Sequence, residues 1–198
     1  MKLSKPEFRA MQSLPRKLGQ RFFEMPLFKH MGLDLNNKEV LEIGCGSGYG
    51  AYLLNQLAPK SYLGLDVMEE QIALAKNKYP QFQFIVQGAE DLSQFADASK
   101  DTVIIFGVLH HIPDWRKAID EIIRVLKPNG SLFLEDPRGM DIKVFDAFFR
   151  WGHPNTDFGL QAMETHLSTR GLVIQSKQWT PLLTMYHLQK KRDGQHLF

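Results

Sequence analysis

The sequence contains a single cysteine, Cys45, in 198 residues. An intrachain disulfide is therefore excluded, and a thiolate metal centre has little support. No stretch reaches the roughly 18 consecutive apolar residues that a membrane-spanning helix needs. Charge is nearly balanced: 24 basic against 22 acidic side chains leave +2, and no nucleic-acid-binding motif is present. His30, His153, His166, His187 and His196 show no metal-ligand spacing. Internal repeats, low-complexity tracts and obvious linkers are also missing. The Met1 end is basic but lacks an apolar stretch behind it, so a cytoplasmic location is expected.

What is there suits one globular domain. The apolar share of 43% and charged share of 23% are ordinary for a packed core with a solvated surface. Four parts are expected within it: a helical cap over 1–37, a binding core over 38–136, a substrate-side segment over 137–170, and a strand pair over 171–198. Residues 1–37 carry a basic surplus from Lys2, Lys5, Arg9, Arg16, Lys17, Arg21 and Lys29. A solvated helical face accounts for that surplus; peripheral contact with an anionic membrane is the sharper reading.

Periodicity places the elements. Pro6 to Leu33 reads as helical, with Phe8, Met11, Leu18, Phe22 and Phe23 on one apolar face and breaks at Pro15 and Pro26. Strands are expected at Val40–Ile43, Ser61–Asp66, Phe82–Val86, Thr102–Phe106 and Ser131–Glu135. Helices are expected at Tyr49–Leu57, Glu69–Tyr79 and Asp114–Leu126. In the last, Trp115, Ala118, Ile119, Ile122, Ile123 and Leu126 make one apolar stripe. Lys127-Pro128-Asn129-Gly130 is a turn, with positive φ available at Asn-Gly. Leu172–Trp179 and Leu182–Gln189 should pair antiparallel. The alternation predicts an α/β fold: a Rossmann-like, doubly wound, mostly parallel seven-stranded sheet with an antiparallel C-terminal strand and helices on both faces.

The stretch VLEIGCGSGYG, Val40 to Gly50, places four glycines in seven positions at the carboxyl end of the first strand. Ligands bind there in such sheets, and glycine lets them approach the backbone. Gly46, Gly48 and Ala51 also satisfy the dinucleotide string G-x-G-x-x-A. Register argues against it, because the first glycine after the strand is Gly44, which leaves Tyr49 where the third small residue belongs. Glu42 would repel a pyrophosphate but suits an ammonium or a sulfonium.

Glu42-Ile43-Gly44-Cys45-Gly46-Ser47-Gly48 resembles motif I of the class I S-adenosylmethionine-dependent methyltransferases, in particular their methyltransferase type 11 branch. The likeness runs from about Val40 to Asp136, through "GLD", "AEDL" and "VLHHIPDWRKAIDEIIRVLKPNGSLFLED". It implies S-adenosylmethionine as cofactor. Glu42, Gly44, Cys45, Gly46 and Gly48 would hold it from the first loop, with Cys45 buried and not a nucleophile. Asp66 would take the ribose hydroxyls and Val67 the adenine. Gly88, Ala89 and Glu90 match the adenine loop, although Gln87 and Gly88 stand where the family has Gly and Asp. Gly107 and Val108 would run under the methionine end. His110 and His111 follow as candidate general bases. Glu135 is a further acceptor-side candidate.

The expected reaction is in-line methyl transfer to a small, partly apolar or aromatic acceptor such as a quinone-like, polyketide or lipid molecule. Phe145, Phe148, Phe149, Trp151 and Phe158 suggest that chemistry. A catalytically inactive S-adenosylmethionine-binding module is the main alternative, and an NAD(P)-dependent oxidoreductase the lesser one. No nucleic-acid partner is expected.

Overall fold

The computed structural model describes residues 12–137, 158–180 and 183–191. Among them, seven strands form one sheet: β1 (Glu39–Ile43), β2 (Ser61–Asp66), β3 (Gln83–Val86), β4 (Lys100–Phe106), β5 (Leu126–Pro137), β6 (Leu172–Trp179) and β7 (Leu183–Lys190). Their order is β3-β2-β1-β4-β5-β7-β6. The first five are parallel, and β7 runs antiparallel to both β5 and β6. β4 is apolar and buried on both faces from Thr102 to Phe106, as a central parallel strand requires.

The sheet is covered on both sides. Helix α5 (Trp115–Val125) buries Trp115, Ala118, Ile119, Ile122 and Val125 against one face. Its start is fixed by Asp114, whose carboxylate accepts the Lys117 N–H at 3.1 Å. Burying each of its large side chains contributes about 1.5–3 kcal/mol. Helix α6 (Leu160–Thr169) shares that core through Met163 and Leu167. The opposite face packs α3 (Tyr49–Asn55), α4 (Glu69–Lys78) and α2 (Met25–His30), with Phe28, Leu54 and Ile72 at its centre.

Four local outcomes differ from the pattern reading. Pro15 opens helix α1 (Leu14–Gly19) instead of breaking it, as suits a residue with no N–H to donate. Pro26 does not interrupt the run either. A wider π turn at Gln20–Glu24 joins α1 to α2, and Met25 N–H bonds back to Gln20 O, which absorbs the missing proline donor. The predicted apolar face of this run points outward at Leu18, Phe22 and Phe23. Finally, β5 takes in the Lys127–Gly130 turn, where Asn129 has φ +63°. The stripe at Phe145, Phe148, Phe149 and Trp151 lies outside the described residues.

Candidate active site

Strand order reverses between β1 and β4, and three strand ends converge there: Gly44 after β1, Asp66 ending β2, and Gly107 after β4. An open cleft of about 730 Å³ lies between them. A second cleft, about 420 Å³, opens under α1 on the other side of the glycine loop. The two share Gly44, Gly46 and Gln71, so the loop forms a saddle between them.

The loop is held by its backbone. Cys45 N–H donates to Leu65 O at 2.8 Å, and Gly46 N–H to Asp66 Oδ2 at 2.9 Å. Gly44 has φ +70°, and a Cβ there would lie 2.4 Å from Val108. Gly46 has φ +51°, but its Cβ would meet only Gln71 Oε1 at 4.0 Å, so it faces open cleft. Gly48 serves helix packing and not the ligand surface, because a Cβ there would press on Phe84, Tyr79 and Ala75 at about 3 Å. Cys45 is buried and lines the second cleft, and burial pushes its thiol well above the usual range. A protonated thiol there is no nucleophile.

Asp66 organises the other side. Its carboxylate also accepts Met68 N–H at 2.9 Å, which turns Val67 and Met68 into the cleft wall. Burial raises its pKa, opposed by these two backbone donors. Glu42 is more deeply buried. It accepts the Tyr62 hydroxyl at 2.5 Å, and burial pushes its carboxyl up to about 8. A Cβ on Gly50 would lie 2.2 Å from Glu42 Oε1, so the first turn of α3 is packed against this carboxyl. A dinucleotide pyrophosphate would need that same helix end. The chain's own acid sits there instead.

The far wall is Gln87, Ala89 and Glu90. Gly88 stands beside it, its Cα backed by the Glu90 carboxylate and Val67. Gln87 turns its amide N–H back to Asp91 O, which leaves Glu90 as the acidic side chain on this wall. Helix α5 anchors the segment beyond it: Leu92 N–H donates to Glu121 at 2.8 Å, and Arg124 donates to Leu92 O and Phe95 O.

The two histidines separate. His111 lines the cleft with Gly107, Val108, Ile112 and Pro113. His110 is buried behind it and shares a 2.6 Å hydrogen bond with Asp136, whose other oxygen accepts Leu109 N–H at 3.0 Å. Their rings are 3.9 Å apart. Phe158 packs edge-on against Trp115, next to His110.

Glu135 is also buried, beside Gly107. Arg16 from α1 reaches it at 3.7 Å and pairs more closely with Glu24. Burial raises the Glu135 carboxyl well above its usual range, Glu24 adds to this, and Arg16 opposes it. Arg16 and Gln20 close the second cleft from above. Gln71 and Asp136 were not singled out in the sequence, and Arg16, Gly50 and Gln87 were named there only for the basic surplus, the glycine count and a departure from the family pattern. Gln71 is 2% exposed, and its Oε1 has no hydrogen-bond partner among the described residues. A helical glutamine carries no sequence signal for this. The fourth glycine, Gly50, and the paired acids Glu135-Asp136 did carry one.

These features fit S-adenosylmethionine: an open saddle at Gly46, a strand-end carboxylate on one side, and a buried carboxyl with an orphaned amide oxygen on the other. Comparison with known proteins agrees. Residues 41–134 match the family model described as a methyltransferase domain. Over 109 residues the chain is 42% identical to the phthiotriol/phenolphthiotriol dimycocerosates methyltransferase of Mycobacterium tuberculosis, covering 54% of this chain and 40% of that protein. The chain thus spans well under half the length of such curated relatives. Two solved structures share the fold. One is a protein of Pyrococcus horikoshii OT3, with TM-score 0.76, 19% identity, and 95% and 100% of the two chains covered. The other is an S-adenosylmethionine dependent methyltransferase of Mesorhizobium loti, with TM-score 0.72, 14% identity, and 83% and 96% covered.

Proposed function

We propose that this chain, which belongs to the class I S-adenosylmethionine-dependent methyltransferases, moves a methyl group onto a small, partly apolar acceptor. The observation that carries the reading is the saddle at Gly46, with Asp66 on one flank and buried Glu42 on the other. Asp66, Val67, Met68, Ala89 and Glu90 would hold the adenosine end. Gly46, Gln71 and Glu42 would hold the methionine end.

When bound, the cofactor supplies a methyl group already activated by its positive sulfur. What remains for the protein is positioning and exclusion of water. Val108, Ile112 and Pro113 give the cleft an apolar wall near Gly107. His111 is the titratable group on that wall and is assigned as acceptor of the proton released by the incoming hydroxyl or amine. His110 is assigned to hold the segment through Asp136. The M. tuberculosis relative is named for phthiotriol and phenolphthiotriol dimycocerosates, which supports searching for the acceptor among lipid-like molecules. A cytoplasmic location belongs to the same proposal.

The test is transfer of labelled methyl from S-adenosylmethionine into a panel of lipid and aromatic acceptors. A labelled product that disappears with Gly46→Val supports the reading. Cofactor binding without transfer to any acceptor would favour the non-catalytic binding module.

A further inference from the structure

Helix α2 buries Met25 and Phe28 in the usual way, but the run before it, Leu14 to Glu24, is amphipathic in the reverse sense. Its inward face carries Arg16, Gln20 and Glu24 at four-residue spacing; Gln20 and Glu24 are buried and Arg16 is engaged with Glu24 and Glu135. Its outward face carries Leu14, Leu18 and Phe22 at the same spacing, 67%, 44% and 60% exposed, with Phe23 beside them at 75%. The π turn at Gln20–Glu24 brings the two phenylalanines to the surface in succession. A helix that only capped a soluble domain would turn this stripe inward.

An apolar groove of about 1360 Å³ continues from it, lined by Phe22, Phe23, Leu27, Thr180, Leu183 and Met185. One acid, Glu24, also lines it, but the exposed charges of the run are all positive. From Leu14 to His30 the only acid is Glu24, which is buried and paired with Arg16. The outer cations are Arg21 and Lys29, and the Arg21 guanidinium lies 5.5 Å from the Phe22 ring; Lys17 turns the other way, its ammonium 5.5 Å from the Tyr49 ring. Exposed aromatics mixed with cations only are the composition of a helix that lies in a lipid interface.

We propose that the outer face of the Leu14–His30 run docks on an anionic lipid bilayer. Phe22 and Phe23 enter the headgroup–acyl boundary, and Arg21 and Lys29 meet the lipid phosphates. The docked face is the reverse side of the segment that closes the second cleft through Arg16 and Gln20. Bilayer contact and the candidate active site therefore share one helical run. The inference stands on the surface alone and does not require methyl transfer.

The test is flotation of the full chain with vesicles of phosphatidylcholine, alone or mixed with phosphatidylserine. Binding to the mixed vesicles is expected, weaker on phosphatidylcholine alone and weakened by salt. Phe22→Ser/Phe23→Ser should cut it by about tenfold or more with an unchanged melting temperature, because both side chains are already in solvent. Arg21→Glu/Lys29→Glu should cut it on the mixed vesicles only. Failure of the wild-type chain to float with anionic vesicles would overturn the proposal. So would a wild-type dimer that the Phe22→Ser/Phe23→Ser variant dissolves, since a second copy would then cover this face.

Discussion

His110 Nδ1 lies 2.6 Å from Asp136 Oδ1, and Asp136 has no solvent exposure. The pair ties the segment after β4 to the end of β5, and His111 rides on that segment into the cleft. His110→Ala should therefore act through the fold. It leaves a buried carboxylate without its partner, at a cost of about 3 kcal/mol or more. His111→Ala should leave the melting temperature nearly unchanged and lower kcat about 10²-fold, with S-adenosylhomocysteine binding retained. It should also flatten the acid limb of the pH–rate profile. If neither variant slows turnover more than about tenfold, a histidine proton acceptor is wrong.

The glycines of the first loop should fail in different ways. Gly46→Val projects into open cleft, so it should abolish cofactor binding while much of the fold survives. Gly50→Ala places a methyl 2.2 Å from Glu42 Oε1. It should destabilise the protein by about 2–3 kcal/mol by forcing the carboxyl or α3 to shift. Thermal melts and ligand titrations on the same two variants separate the effects.

Glu42 makes stability depend on pH. Folding lifts its pKa from 4.5 to about 8 through burial. The unfolded chain gives up this proton near pH 4.5 and the folded protein keeps it until about pH 8. The folded state therefore binds more protons across that window, and this group's contribution to stability declines as pH rises through it. Glu42→Gln should lessen the fall, measured as melting temperature against pH. In the wild-type protein, binding a cationic ligand near Glu42 at pH 7 should release a proton, seen as a dependence of calorimetric heat on buffer ionisation.

The anchored loop beside the far wall gives a prediction away from the cleft. Arg124 joins Glu121 and Asp97 to the carbonyls of Leu92 and Phe95. Arg124→Gln should loosen the segment that follows Glu90. It should weaken cofactor binding about threefold to tenfold, a loss of roughly 1 kcal/mol. Hydrogen exchange at Leu92 and Phe95 should rise in parallel.

Much of this was legible in the chain. The parallel strands showed as short apolar runs, and α5 through its stripe. The loop from Gly44 to Gly50 was visible because nothing but close backbone approach needs so many glycines. Other features depend on neighbours that a sequence does not display. Gln71 becomes a buried cleft residue only because α4 lies under Gly46. His110 and His111 look alike in sequence and are parted by Asp136. Leu18, Phe22 and Phe23 read correctly as one face, but which way it turns was fixed by Arg16 reaching Glu135. Helix α6 was hidden because Gly159 offers no capping side chain and only Met163 and Leu167 are buried.

The most direct test of the central claim is isothermal calorimetry with S-adenosylhomocysteine on the folded wild-type chain and on Gly46→Val. The account predicts saturable heat with the wild-type chain, none with the variant, and none with NAD for either. At a free ligand concentration of about one hundred times Kd, the wild type should also gain about 2.7 kcal/mol of stability. A wild-type chain that is folded yet gives no heat with S-adenosylmethionine or S-adenosylhomocysteine would contradict it.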